Sequence, residues 1–291
     1  MTLGELYKQC KLILKDSQSS IEGSEINVIL DVCLKVERKD LILDKERNLS
    51  EKEVKKVLDV LDLRLKHIPL QYIIGKWEFM NLEFEVGEGV LIPREDTSVL
   101  VSEIINIFKN KSELKILDLC SGSGCIAIAL EKNLKEDSII YALEKSEKAY
   151  DFLCKNIKKH KSNVISMNKD ILLCYEEFKD SFFDCIVSNP PYIKSNDLPF
   201  LQKEVLFEPK LALDGGMDGL YFYNNICKLW SHKLKPGGIL AFEIGKGQFD
   251  DVKDIMIGFD FVDINFKKDI NGIKRVIIGK KSSKKDYLRK I

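Results

Sequence analysis

Apolar positions over the first seventy residues recur at helical spacing. Leu3, Leu6, Tyr7, Cys10 and Leu14 fall on one helical face, which Thr2 and Glu5 open in the pattern of a capping box. Ile26, Ile29, Leu30 and Cys33 repeat the period. Ser50 and Glu53 open a third clear helix, whose stripe is Val54, Val57, Leu58, Leu61 and Leu65. No Gly-rich loop and no cluster of reactive side chains breaks this stretch. Residues 1–70 are therefore expected to form a small all-α bundle suited to recognition rather than chemistry. The pattern then changes. Residues 72–75, 82–86 and 90–92 are short, β-prone runs punctuated by glycine, which predicts a β-hairpin linker over 71–95. Asp96 or Thr97 then caps a helix carrying Leu100, Val101, Ile104, Ile105 and Phe108.

Beyond Lys111, short apolar runs alternate with helical stretches, the signature of a mostly parallel sheet with helices on both faces. Seven strands are expected, at 115–119, 139–143, 163–167, 183–188, 238–244, 261–266 and 275–279. The first enters a Gly-rich turn and a helix at 126–133. The second ends at Glu144, the third near Asp170 and the fourth at Asn189. The fifth follows the turn Pro236-Gly237-Gly238. The fold class is α/β, with residues 96–281 as the larger domain and 282–291 as a basic tail.

Composition narrows the class. The 291 residues are 45% hydrophobic and 32% charged, an ordinary balance for a soluble globular protein. The formal net charge is zero, which argues against gripping a nucleic acid duplex, a task that usually needs a basic excess. The basic run Lys280, Lys281, Lys284, Lys285, Arg289 and Lys290 reads as a solvated tail. Eight cysteines are scattered without a Cys-x-x-Cys pair, so neither a metal site nor a disulfide framework is expected. No apolar run approaches the ~20 residues a membrane span needs. The opening Met-Thr-Leu-Gly-Glu lacks a signal peptide's basic and apolar regions, so a cytoplasmic location is expected.

Strand one runs into Asp118-Leu119-Cys120-Ser121-Gly122-Ser123-Gly124. Glycines at 122 and 124 allow a tight turn and close approach to a ligand, which would suit a dinucleotide as well as S-adenosylmethionine. Glu144, closing the second strand, is placed to accept both hydroxyls of a ribose, again a feature shared with nicotinamide enzymes. Two residues favour S-adenosylmethionine. Asp118, ahead of the glycines, would face its methionine end or orient the loop, and Asp170 is placed to contact an adenine amino group.

Asn189-Pro190-Pro191-Tyr192 closes strand four, beside the place where ligands of open α/β sheets bind. A planar amide nitrogen is a poor nucleophile whose lone pair is delocalised. A site that accepts both of its N–H groups fixes its orientation. The Asn189 side-chain oxygen can accept one and the Pro190 carbonyl the other. Consecutive prolines stiffen the segment and remove two donors, and Tyr192 offers a flat face to a planar group. Catalysis by positioning needs no Cys or His nucleophile.

These residues resemble the amino-nitrogen branch of the class I methyltransferases. Pro69-Leu70-Gln71-Tyr72-Ile73-Ile74-Gly75, Leu91-Ile92-Pro93-Arg94, Phe207-Glu208-Pro209 with Ala212-Leu213, and Gly215-Gly216-Met217-Asp218-Gly219-Leu220 extend the likeness. So do Phe242-Glu243-Ile244-Gly245 and Lys268-Asp269-Ile270-Asn271-Gly272 with Arg275. Over essentially the whole chain they resemble the release-factor glutamine methyltransferases. The resemblance implies a Rossmann-like methyltransferase domain and S-adenosylmethionine as cofactor, leaving as S-adenosylhomocysteine. It implies that Cys120, Ser121, Gly122, Ser123, Gly124, Glu144 and Asn189 bind that cofactor, with Ile171 packed near the adenine. Asn189, Pro190, Pro191 and Tyr192 would hold the glutamine of a Gly-Gly-Gln loop in class 1 peptide chain release factors, and residues 1–70 would recognise the release factor. A monomer is expected, with no membrane or nucleic acid partner.

The chain departs from that family at several places. Glu95 stands where a proline is usual, Ser98 where an acid is usual, Cys120-Ser121 where Gly-Thr is commoner, and Glu144 where Asp is commoner. Competing readings are a glutamine methyltransferase of a ribosomal protein, a methyltransferase of nucleic acid amino groups, and a cofactor-binding protein without catalysis. The second would need a basic groove and aromatic stacking residues, and an intact Asn189-Pro190-Pro191-Tyr192 argues against the third.

Overall fold

Thr2 and Glu5 satisfy each other's backbone: the Glu5 N–H donates to Thr2 Oγ1 at 3.2 Å and the Thr2 N–H to the Glu5 carboxylate at 2.8 Å. That reciprocal cap opens α1 (Leu3–Asp16) in the computed structural model, which describes residues 1–16 and 23–283. After α2 (Glu25–Leu34) and the short α3 (Asp40–Leu43), a second complete capping box of Ser50 and Glu53 opens α4 (Glu51–Leu65). Leu3, Leu6 and Cys10 pack with Ile26, Ile29, Leu30, Val57 and Leu61 in one core. The run at 72–74 is helical rather than extended. It belongs to α5 (Leu70–Ile74), which Pro69 enters and Gly75 ends in the left-handed conformation. Burial of Leu70 in the helical core outweighs the β preference of Tyr72, Ile73 and Ile74.

Two compact units result: Met1–Gly75 with Lys203–Phe207, and Lys76–Gln202 with Glu208–Ile291. A segment far along the chain thus belongs to the helical unit. Its Glu204 accepts from Arg64 at 3.0 Å and contacts His67 Nδ1 at 3.2 Å, while Arg64 also grips Glu25 at 2.6 Å.

The second unit begins with a hairpin of β1 (Lys76–Phe79) and β2 (Leu82–Glu85). Met80 and Asn81 both take positive φ in its two-residue turn, as the twist of adjoining strands requires. The stretch expected as a linker over 71–95 is therefore divided. Residues 71–75 fall in the helical unit, while Phe79 and Phe84 are buried in the core of the second. The run at 90–92 forms no strand. Val90 and Ile92 are buried there, and the Ile92 N–H goes to the Glu208 carboxylate instead of a strand partner. α6 (Thr97–Phe108) follows. Its N-cap Asp96 makes no side-chain cap bond and instead pairs with Arg275 at 3.1 Å.

Then come β3 (Lys115–Leu119), α7 (Cys125–Asn133), β4 (Ile139–Glu144), α8 (Glu147–Lys159), β5 (Ile165–Asn168) and β6 (Phe183–Ser188). α9 (Tyr221–Trp230), β7 (Leu234–Glu243), α10 (Phe249–Gly258), β8 (Phe261–Lys268) and β9 (Lys274–Lys281) complete the unit. β5 starts later than the sequence suggested. β7 starts earlier, because the Pro236-Gly237-Gly238 turn is carried inside the strand as a slip in its register with β6.

The sheet runs β5-β4-β3-β6-β7-β9-β8, parallel through β7 and antiparallel for the last two strands. Successive residues of the central strands enter opposite cores. Ile116, Cys185 and Ala241 pack with α6 and α7, while Leu117, Ile186 and Phe242 pack with Tyr223, Trp230 and Met256. Burial on both faces explains their continuous apolar runs. Lys284, Lys285, Arg289 and Lys290 of the basic tail lie outside the described residues. Among the described residues no helix is long and apolar enough to cross a membrane, and no His, Cys, Asp and Glu group could hold a metal ion.

Candidate active site

Register sets the site. Leu119 pairs with Leu143 on one side and with Ser188 on the other, and Ser188 pairs with Phe242. The next residue of each strand therefore falls in one row at the carboxyl edge: Glu144, Cys120, Asn189 and Glu243. The sheet's connectivity reverses between β3 and β6, which opens a crevice above that row. A cavity of about 250 Å³ occupies the second unit there, lined by residues 120–123, Glu144, Asp170, Ile171, Asn189 and Pro191 together with Arg94, Thr97 and Tyr221.

Glu144 is buried at the cavity wall. Its Oε2 accepts the Gly122 N–H at 2.8 Å and its Oε1 the Ser146 N–H at 2.7 Å, so the carboxylate fixes the loop while facing the cavity. Burial still raises its pKa, against those N–H bonds. The loop is shaped from behind as well. Gly124 has φ +81°, and a Cβ there would lie 2.4 Å from Leu153 Cδ1, so only glycine fits. Asn156, fully buried in α8, donates to the Ser123 and Glu85 carbonyls at 3.0 Å each and accepts the Glu85 N–H at 2.6 Å. One side chain thereby ties the cavity loop to the hairpin.

Asp118 is not on the cavity wall. It is fully buried, and neither carboxylate oxygen has a hydrogen-bond partner among the described residues. Burial, with the charge of nearby Glu144 acting in the same direction, pushes its pKa up to about 8. Of the two roles expected for it, facing a ligand is unmet and supporting the loop remains. Asp170 does line the cavity, but its carboxylate is already engaged, by the Leu172 N–H at 2.9 Å and Lys145 at 2.9 Å.

On the other side, the Asn189 Nδ2 donates to Thr97 Oγ1 at 3.3 Å, and that hydroxyl donates to Glu243 Oε2 at 2.5 Å. The Tyr192 hydroxyl donates to Glu243 Oε1 at 3.3 Å. Pro190 and Tyr192 are therefore not wall residues as the sequence suggested. Pro190 is buried, and Tyr192 turns its phenol into the protein, where burial and Glu243 raise its pKa and keep it a donor. The segment is pinned from outside: the Tyr192 carbonyl accepts from Gln248 Nε2 at 3.0 Å, and Ile193 exchanges backbone bonds with residues 213 and 215. A Cβ on Gly215 would lie 2.6 Å from Tyr192 Cα.

Reading the sequence missed Thr97, Asn156, Glu243 and Gln248 as parts of the site. Glu243 carried a usable signal, a lone carboxylate between Phe242 and Ile244 at the end of a buried strand, matching the positions of Glu144 and Asn189. Asn156, inside a helix rich in charge, carried none.

A seven-stranded sheet in this order, with its cavity above the switch point, is the architecture of the class I methyltransferases, and the chain is an enzyme of that class. A methyltransferase from Pyrococcus furiosus superposes with a TM-score of 0.54 at 19% identity, covering 76% of this chain and all of that one, which bears on the fold alone. The family model of the PrmC N-terminal domain matches residues 5–75 and that of the methyltransferase small domain residues 96–214. A release factor glutamine methyltransferase of Thermodesulfovibrio yellowstonii is 40% identical over 283 residues, covering 95% of this chain and 98% of that one. One from Clostridium botulinum is 37% identical over 286 residues, covering 97% and 100%. The chain belongs to the release factor glutamine methyltransferase family.

Proposed function

We propose that this enzyme transfers a methyl group from S-adenosylmethionine to the side-chain amide nitrogen of the glutamine in the Gly-Gly-Gln loop of class 1 peptide chain release factors, acting on translation termination in the cytoplasm. The observation that carries the reading is Asn189. It lines the cavity, its Nδ2 is engaged by Thr97, and its Oδ1 has no partner among the described residues. An acceptor so held suits an N–H of a planar amide.

The cavity residues fit the cofactor. Glu144 retains lone pairs beside its two N–H bonds for the hydroxyls of a ribose, residues 120–123 supply a close backbone approach, and Ile171 with Leu172 offers an apolar wall for an adenine. Asp170 stands at the same end. S-adenosylmethionine would supply an electrophilic methyl group on a positively charged sulfur and leave as S-adenosylhomocysteine.

The chain's own contribution is to hold the nitrogen. Asn189 Oδ1 accepts an N–H of the glutamine amide, with Pro191 walling the site. An acceptor held in place on one N–H restrains the plane of the amide and favours electron density on nitrogen as its delocalisation is lost. Positioning and fixed dipoles of this kind account for large rate factors without a nucleophilic side chain. The helical unit would bind the body of the release factor, adding a second contact to the short loop.

Incubating the enzyme with S-adenosylmethionine and an intact class 1 release factor tests this, with peptide mass spectrometry locating the product. One added methyl on the Gly-Gly-Gln glutamine is expected. An unmodified release factor beside a methylated ribosomal protein or nucleic acid would overturn it.

A further inference from the structure

We propose that Glu243, acting through Thr97, is a positioning residue that decides which way round the Asn189 amide stands, and that only its carboxylate anion selects the orientation able to receive a substrate amide. The proposal deepens the function above and rests on Asn189 as the acceptor of the substrate N–H.

Counting hydrogens makes the case. A threonine hydroxyl has one hydrogen and can accept as well. The Glu243 anion can only accept, so the 2.5 Å contact takes Thr97's hydrogen. Toward Asn189, at 3.3 Å, Thr97 is then an acceptor only, and Asn189 must present Nδ2. Its Oδ1 is left for the cavity. The other Glu243 oxygen receives the Tyr192 hydroxyl at 3.3 Å, so both donors serve the anion. Protonating Glu243 reverses the chain of donors. The new carboxyl hydrogen goes to Thr97, whose own hydrogen is released toward Asn189, and the amide turns to offer Oδ1 to Thr97. Nδ2 then faces the cavity, where a donor meets the donors of the substrate amide.

The surroundings leave this balance open. Glu243 is 2% exposed at the end of β7. It faces Thr97 and Asp96 from α6, Tyr192 after β6, Arg275 from β9 and Cys125 from α7, while the Tyr223 hydroxyl of α9 donates to its backbone carbonyl at 3.0 Å. Arg275 is the one cation in that group, and it is already paired with Asp269 at 2.9 Å and Asp96 at 3.1 Å. Burial pushes the Glu243 carboxyl up to about 7, with Thr97, Tyr192 and Arg275 pulling the other way, so both protonation states fall within the working range.

The test compares wild type with Glu243→Gln, Thr97→Val and Thr97→Ser in two measurements. With the release factor as substrate, wild-type kcat should rise with pH through about 7. Glu243→Gln and Thr97→Val should each lose about 100-fold in kcat, with cofactor affinity within about twofold of wild type. Thr97→Ser, which keeps the hydroxyl, should restore both rate and pH profile. The second measurement needs no turnover. The side-chain ¹⁵N signal of Asn189, assigned by its loss in Asn189→Ala, should titrate with a midpoint near 7 in wild type and stay fixed with pH in Glu243→Gln. An Asn189 signal indifferent both to pH and to Glu243→Gln overturns the proposal even if the enzyme is active. A titrating signal in an enzyme that leaves release factors unmethylated sustains the orientation device and refutes the proposed substrate instead. Should Glu243→Gln fail to bind cofactor, the Thr97→Val and Thr97→Ser pair decides, and equal activity of the two counts against the proposal.

Discussion

In the helical unit the buried charge has its partners. Arg64, 7% exposed in its side chain, is clasped by Glu25 and Glu204. Burial alone would raise the Glu204 carboxyl, but its backbone bond, His67 and Arg64 outweigh that and hold it below its ordinary value. Along the carboxyl edge of the parallel strands the reverse holds. Asp118, Glu144 and Glu243 are buried, none forms an ion pair among the described residues, and burial raises all three. Paired charge specifies one packing of the bundle. Unpaired carboxylates keep acceptor capacity available, and the fold bears a penalty for them.

The comparison can be broken first at Asn189. Asn189→Ala should lower single-turnover methyl transfer by about 10³-fold, since orientation of the substrate nitrogen is lost, and leave cofactor affinity much less affected. A near-normal single-turnover rate would remove Asn189 from the mechanism. In the helical unit, Arg64→Met strands two carboxylates that are each about a quarter exposed, so a loss of about 2–3 kcal/mol is expected in urea unfolding. An unchanged midpoint would show that the pairing contributes nothing there. Glu144→Ala should weaken S-adenosylmethionine binding by roughly 1–3 kcal/mol in calorimetry, the scale of charged hydrogen bonds. Equal affinity would place the ribose elsewhere.

An effect read against pH concerns Asp118. Its folded pKa, about 8, lies above the ordinary 3.8, so the native state holds the proton more tightly than the unfolded chain. Its contribution to stability is present below the lower value and is lost as pH rises toward the higher one. Asp118→Asn should therefore remove a decline on the order of 1 kcal/mol per pH unit in that window, read as the difference between two urea-stability profiles. Parallel profiles would mean that Asp118 is ionised and satisfied at neutral pH.

The strands that bear the site were legible because apolar runs bounded by turns mark both ends: β3 and β6 begin and end where the pattern put them. Glu144 and Asn189 could be found for the same reason, as polar residues closing such runs. Register was not legible. Nothing local says that Phe242 lies opposite Ser188, so Glu243 could not be set beside Asn189 from its neighbours alone. Asn156 and Gln248 act through backbone groups distant in sequence, Glu85 and Tyr192, and such bonds leave no periodicity. α5 was misread because β-branched side chains in a five-residue run say less than the core that Leu70 joins.

The return of Lys203–Phe207 to the helical unit has a consequence for how the protein is made. Residues 1–75 leave the ribosome ahead of the second unit, yet Glu204 follows Arg64 by 140 residues. While β3 to β6 are being synthesised, Arg64 has Glu25 but lacks Glu204, the other of its two partners among the described residues. A nascent bundle in that condition is under-secured, and it is completed only when a chain that has already built its sixth strand supplies the missing carboxylate. Domains that emerge early generally fold as units. This one is instead finished late, so a ribosome stalled at the end of β6 should carry a bundle that proteases cut more readily than the same helices in the full-length protein.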